Sequence, residues 1–344
     1  MSGITVEALS AANRRDWDAY VAACPTATFF HQAGWLEAVE ATYGHPARGL
    51  LARRAGAPVG VLPLSQVRSW LSGHALVSAP FAVEGGIAAD DADVASELAE
   101  AAARLGRERG ADHLELRGPA DGSAGWVARC DRYAAFRRPI HADEEANLKA
   151  IPRKKRADVR KGMGGGLAVE VTRDLRDFHR IYAASVHRLG TPVFPRRWFE
   201  ALCRAFPDAT EVSLVHGPDG PVAALLSFFW RDTVLPYYGG ALDAARPLHA
   251  YDHMYWSLMQ RAARRGLTCF DFGRSKVGTG AYDYKTYWGF EPQPLAYHLL
   301  PLSGKPLPDV NPLNPRYSRF VEIWKRLPAT VANTAGPVLA RHLG

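Results

Sequence analysis

The chain has 344 residues, of which 47% are hydrophobic and 22% charged, with a formal net charge of +7 and a pI near 9.3. That length exceeds one ordinary domain and suits two, each able to bury its own core, while the composition excludes long disorder. The basic balance favours an anionic partner such as phosphate, RNA or a nucleotide-linked substrate.

The N-terminal MSGITVEALSAANRRDW has neither the basic nor the apolar region of a secretory signal, so a cytoplasmic location is expected. A first helix is predicted over Trp35 to Tyr43, where apolar residues at 35, 36, 39 and 43 share one face. The segments 47-ARGLLARR and 58-PVGVLPLSQVR flank the turn signal Ala55-Gly56-Ala57-Pro58 and predict a β-hairpin. A third apolar run, 74-HALVSAPF, ends at Gly85-Gly86. An Ala-rich helix from Asp91 to Arg109 stops at Gly110, and a short strand, 112-DHLELRG, follows.

The second half repeats this grammar: strand 210-TEVSLVHG, turn 217-GPDG, strands 221-PVAALLSFFWR and 233-TVLPYYGG, a helix from His249 to Arg265, then strand 268-TCFDFGR. Gly85-Gly86 aligns with Gly239-Gly240, Arg109-Gly110 with Arg265-Gly266, and Leu114-Glu115-Leu116 with Phe270-Asp271-Phe272, which argues for a duplicated unit. Hairpins followed by a helix crossing to a further strand predict mixed α/β sheets flanked by helices. No G-x-G-x-x-G joins a strand to a helix, so a dinucleotide fold is not indicated. The expected division is a first domain over 1–148, a second over 149–300 that carries the main site, and a Pro-rich tail over 301–344 with one short helix, Arg316 to Arg326.

No apolar stretch approaches the roughly 20 residues of a membrane span. Cys24, Cys130, Cys203 and Cys269 are far apart and form no C-x-x-C or Cys/His pattern, so neither a metal site nor a disulfide framework is expected.

The richest stretch is 269-CFDFGRSKVGTGAYDYKTYWGF. A strand ends there in a glycine-punctuated loop beside Arg274, Ser275, Lys276 and Lys285, and cations beside approachable backbone suit a phosphate or a developing oxyanion. Asp271 could orient Arg274 or Lys285, or take a proton from an attacking amine. A second candidate is the basic run 151-IPRKKRADVRKGMGGGL, with Arg156 and Arg160 on one helical face. A third is 179-HRIYAASVHRLGTPVFPRRWF, in which His187 has the pKa class of a general base at neutral pH. Tyr238, in the strand ending at Gly239-Gly240, completes the candidate substrate-binding set.

The run D-F-G-R-S followed by G-T-G-A-Y-D-Y-K-T-Y-W-G-F-E-P resembles the C-terminal motif of FemAB-like transferases of the GNAT superfamily, most closely the branch associated with exosortase and PEP-CTERM loci. The segments 28-TFFHQAGWLEAV, 60-GVLPL, 77-VSAPF, 151-IPRKKRADVRKGMGGGL and 187-HRLGTPVFP extend the resemblance over most of the chain. It implies two tandem GNAT-like domains that join an acyl or aminoacyl group to an amine of a cell-envelope or exopolysaccharide precursor. By that resemblance Tyr284-Lys285 is the aromatic-lysine pair that stabilises charge as the amine attacks. No tightly bound cofactor is implied. The donor would be a co-substrate: aminoacyl-tRNA, acyl-CoA or an acyl carrier protein. The CoA signature Q/R-x-x-G-x-G/A is missing at 241-ALDAARPLHAYDH. A non-catalytic binding protein built from degenerate transferase domains stands as the reading from another class.

Overall fold

The computed structural model describes residues 3–70, 73–120, 125–308 and 315–343. The first part of the chain runs β1 (Ile4–Ala8), α1 (Arg14–Ala23), α2 (Ala33–Tyr43), β2 (Leu50–Arg54), β3 (Ala57–Leu62), β4 (Leu64–Ser69), β5 (Gly73–Ser78), β6 (Ala88–Ala89), α3 (Ala92–Glu108), β7 (His113–Leu116) and β8 (Val127–Arg129). It continues through β9 (Tyr133–Pro139), α4 (Glu144–Lys149), α5 (Arg153–Gly164), β10 (Ala168–Thr172), α6 (Leu175–Arg188), α7 (Arg196–Ala205), β11 (Thr210–Gly217), β12 (Gly220–Trp230) and β13 (Thr233–Ala241). The remainder is α8 (Ala250–Arg264), β14 (Cys269–Lys276), α9 (Gly280–Tyr287), β15 (Pro292–Pro294), β16 (Tyr297–Pro301), α10 (Pro315–Arg326) and α11 (Ala329–Ala340). Among the described residues no helix is long and apolar enough to cross a membrane.

Two compact units result. The first comprises Met1–Asp131, Leu295–Asn311 and Leu339–Gly344, and the second Arg132–Pro294 and Pro312–Val338. The first unit holds a sheet of order β1-β2-β3-β6 and another of order β4-β5-β7-β16-β8. Its β2-β3 hairpin turns through Ala55 and Gly56, both at positive φ (48° and 82°), the backbone of a two-residue turn matched to strand twist. Helix α3 starts at Asp91, whose side chain accepts from the Val94 amide, and it buries Val94, Leu98 and Ala102 against Leu62, Leu64, Leu76 and Leu114.

The second unit is one seven-stranded sheet of order β10-β11-β12-β13-β14-β9-β15. Its ladders are antiparallel except β13-β14, a parallel pair joined through α8. A core of Phe136, Met254, Leu258, Met259, Phe270, Phe272, Trp288 and Phe290 lies between the sheet and its helices. Gly240 admits α6, since a Cβ there would lie 2.8 Å from the Tyr182 Cα.

Three sequence expectations change. The first domain was expected to reach residue 148, but β9 pairs with β14 and belongs to the second unit, so the division falls at Asp131. Conversely β16, which begins inside the 149–300 range expected for the second domain, pairs with β7 and β8 in the first unit. Sheet pairing, not proximity in the chain, assigns both strands. The tail carries α11 beyond the one expected helix, and residues 309–314 of its Pro-rich segment lie outside the described residues.

The repeat landmarks are equivalent only in part. Gly110 and Gly266 both follow the central helix of their unit at positive φ, and His113 and Cys269 both sit at the start of the parallel ladder. Gly85-Gly86, however, lies in a loop after β5, where a Cβ on Gly85 would come within 2.4 Å of Ala79, whereas Gly239-Gly240 lies inside β13. The two dipeptides answer different packing demands and do not mark equivalent positions.

Candidate active site

The β13-β14 ladder lasts two residue pairs, Thr233 with Cys269 and Val234 with Phe270. Pro236 has no N-H to extend β13 toward a neighbour, and β14 shifts register against β9 between Asp271 and Arg274. The strands therefore part into a wedge. A parted strand edge presents backbone amides and carbonyls that can pair with an extended ligand and polarise its carbonyl.

The bulge in β14 is held by the residues that the sequence nominated for chemistry. Gly273 takes φ +64°, and its amide donates to Asp271 Oδ1 at 2.7 Å. Asp271 Oδ2 accepts from Arg137 Nε at 2.6 Å, so this buried carboxylate has both oxygens engaged. The Lys285 ammonium, reaching back from α9, donates to the carbonyls of Phe272 (2.7 Å), Gly273 (3.2 Å) and Arg274 (2.9 Å). All three of its N-H groups are thereby used. Burial pushes Lys285 down to about 7, against the pull of Asp271. In this arrangement Lys285 and Asp271 shape the strand around the wedge, and an oxyanion would have to displace a carbonyl to reach the ammonium.

Tyr284 faces the other way. Its hydroxyl donates to Asp252 Oδ1 at 2.7 Å, and burial together with Asp252 raises its pKa well above the ordinary value, so it stays protonated. Asp252, buried in the first turn of α8, also accepts from Trp288 Nε1 at 3.3 Å and pairs with Lys155 Nζ at 2.6 Å. Lys155 lies 4.6 Å over the Tyr284 ring. Asp158 and His249 complete the cluster; the donor atoms of Asp158, His249 and Asp252 lie within 4.8 Å of one another, a spacing that can hold a metal, but the Lys155 ammonium already supplies the positive charge there.

This cluster covers the N-terminus of α8. Helix α5 packs so closely that a Cβ on Gly162 would meet the His249 carbonyl at 2.9 Å and His253 Cβ at 3.0 Å. An uncovered helix N-terminus is a ready site for a diphosphate; this one carries Asp252 and lies under α5. On the same helix, Tyr255 donates to the Tyr251 hydroxyl at 3.0 Å, and the two hydroxyls would stand 3.1 and 3.4 Å from a Cβ at Gly239. Glycine at 239 lets two phenols approach β13 beside the wedge.

The other nominated residues scatter. Arg274 stacks 4.7 Å over Tyr133, Ser275 is buried, and Lys276 continues β14 against β9. Arg156 folds onto the carbonyls of Lys149 and Ile151, whereas Arg160 is exposed, so their common helical face does not make a common site. Tyr238 is buried, its hydroxyl accepting from Trp198 Nε1 at 3.0 Å. His187 Nε2 bonds the Trp324 carbonyl at 3.1 Å.

The sequence counts Lys155 among the cations of the basic run without singling it out, and does not point to Asp252, Tyr251 or Tyr255. A signal for Lys155 was present: Val159 and Gly162, at i+4 and i+7 from it, are the inward positions of an otherwise charged helix.

Comparison with known proteins agrees with this architecture. Residues 148–286 match the acetyltransferase (GNAT) domain family. The solved structure of FemX superposes with a TM-score of 0.69 at 15% identity, covering 86% of this chain and 96% of that one. The chain folds as two tandem GNAT-like units. A tandem GNAT protein from the clavulanic acid biosynthesis pathway superposes at 0.55 and 13% identity, covering 88% of this chain and 100% of that one. The C-terminal domain of a putative lysylphosphatidylglycerol synthetase from Agrobacterium fabrum also gives 0.55, at 14% identity over 84% of this chain and 92% of that one. None of the curated protein sequences matches the chain.

Proposed function

We propose that the protein transfers an acyl or aminoacyl group to an amine of a cell-envelope or exopolysaccharide precursor, and that the reaction runs in the wedge between β13 and β14. The observation that carries this reading is the parallel ladder cut short after two pairs, with its bulge fixed by Asp271 and Lys285 in a GNAT-like unit. The donor's acyl carbonyl accepts a backbone N-H of the β13 edge. The acceptor nitrogen attacks the carbonyl carbon, the ester or thioester bond breaks, and the proton lost by the amine leaves with the alcohol or thiol. Tyr251 stands beside Gly239, where its hydroxyl can relay that proton, giving its own to the leaving group and taking up the one the amine loses; burial raises its pKa, so it returns to the protonated form.

The covered N-terminus of α8 favours a donor other than free CoA, namely an aminoacyl-tRNA or an acyl carrier protein. Exposed Arg153, Lys154, Arg160 and Lys161 on α5 offer such a polyanion a landing surface. The exopolysaccharide and exosortase association rests on the sequence resemblance alone.

The test has two arms. Mass spectrometry of envelope and polysaccharide precursors from cells with and without the protein should show an acyl or aminoacyl mass that depends on it. Purified protein should then transfer that group from aminoacyl-tRNA or acyl carrier protein. No dependent mass, with binding intact, would leave the chain a binding protein with degenerate domains.

A further inference from the structure

A second candidate site lies away from the wedge, on the part of 179-HRIYAASVHRLGTPVFPRRWF that the transfer reading leaves unused. A cavity of about 420 Å³ in the second unit is lined along α6 by Arg176, Arg180, Ala183 and His187, the spacing of one helical face. That face is distinct from the one that buries Phe178, Ile181 and Tyr182. Arg196, the first residue of α7, and Ala329, the first residue of α11, close the cavity from the other side. Helix α7 has Pro195 at its N-cap and no side-chain cap bond, so the positive ends of two helices meet three guanidinium groups.

Among the described residues no carboxylate lines this cavity. The acids that partner the arginines, Asp174 with Arg176, Asp177 with Arg180 and Glu200 with Arg196, stand outside the lining as exposed pairs, which contribute little and exchange readily. The nearby histidines are tied to backbone carbonyls, His179 Nε2 to Phe194 and His187 Nε2 to Trp324, and burial holds His179 below its ordinary pKa. The arginines carry their charge at any working pH. One guanidinium fork satisfies one carboxylate, whereas three arginines lining one cavity beside two helix ends suit an anion with many oxygens.

We propose that this cavity binds a small ligand carrying two or more phosphate groups, its oxygens replacing the present carboxylate partners of Arg176, Arg180 and Arg196. Binding there is independent of the transfer chemistry and is measured without an activity assay. Calorimetric titration of the full chain with inorganic pyrophosphate and ADP, with sulfate as reference, measures it directly. Both phosphates should bind at least about tenfold more tightly than sulfate, and the advantage should shrink as salt rises.

The double variant Arg176→Ala, Arg180→Ala should lose at least about tenfold in affinity. A charge-matched double variant, Arg14→Ala with Arg104→Ala, removes two arginines outside the cavity that pair with carboxylates, the first with Asp18 and Glu37 and the second with Glu100, and should bind as wild type does. Cosedimentation with phosphatidylcholine vesicles doped with farnesyl diphosphate distinguishes a lipid-borne diphosphate from a soluble one. Either source supports the site if the α6 variant abolishes the binding. Equal affinities for phosphates and sulfate, or equal losses in the two double variants, would overturn the site and leave a diffuse basic surface.

Discussion

The two units contain the same device, a parallel strand pair bridged by a helix, and finish it differently. In the first, β5 and β7 pair from Ala75 with His113 to Val77 with Glu115, and side chains then carry the connection onward. The Arg117 amide donates to Ser78 Oγ at 2.7 Å, and its buried guanidinium reaches the carbonyl of Ala82 at 2.9 Å and Glu115 at 3.1 Å. In the second unit the ladder ends one pair sooner, and a cation from the following helix, Lys285 on α9, turns onto the carbonyls of β14. One unit ties its two strands together beyond the ladder and the other holds them apart. The difference teaches that a duplicated fold keeps its ladder while a few side chains decide whether the gap beyond it is closed.

Removal of Lys285 tests that contrast most severely. Lys285→Ala should slow transfer by at least about a hundredfold. It should also lower stability by about 2 kcal/mol or more, because three carbonyls lose their donor. A purely electrostatic catalyst would cost rate and spare the melt, so a transfer assay paired with a urea titration separates the two roles. Lys285→Arg should restore neither, since a planar fork cannot place three donors on carbonyls grouped around one nitrogen.

Asp252→Ala comes next. It strips the partner from Lys155, Tyr284 and Trp288 together and should cost roughly 3 kcal/mol in chemical denaturation. An unchanged midpoint would mean that α5 is not anchored through this carboxylate. Arg117→Ala should cost about 2 kcal/mol while the remaining folded protein transfers at the wild-type rate, because it disturbs only the closed ladder. A large rate loss without destabilisation would place chemistry in the first unit.

The smallest expected effect is a pH slope. Lys285 sits near 7 in the folded chain and at 10.5 ordinarily, so between those values the unfolded chain holds a proton that the folded chain has released. Stability should therefore rise with pH across that window, by at most about 1.4 kcal/mol per unit from this group. Lys285→Met should remove the slope, which denaturant titrations from pH 7 to pH 10 would reveal.

Much of this architecture was legible in the residues because its signals are local. Ala55-Gly56 makes a hairpin turn, Asp91 caps α3, Gly110 and Gly266 end helices, and short apolar runs bounded by turn residues name the strands. Asp271 and Lys285 stood out at the end of a strand beside a glycine-rich loop, and the resemblance of the C-terminal motif added Tyr284 to Lys285. What they touch was not legible. Lys285 meets carbonyls 11 to 13 residues back, Tyr284 meets Asp252 at a separation of 32, and Arg137 meets Asp271 at 134.

The sequence by itself determined the hairpin, helix and strand order at the centre of each unit, the two-unit plan and the basic character of α5. Tertiary structure alone decided that β9 and β16 each serve the unit other than the one their place in the chain suggested, and that Lys155 rather than Arg156 or Arg160 turns inward. It also decided that the start of α8 is covered. The physical reason is that hydrogen-bond ladders and buried charges are satisfied by whatever group packing brings within about 3 Å, and periodicity along one segment carries no information about which distant segment supplies it.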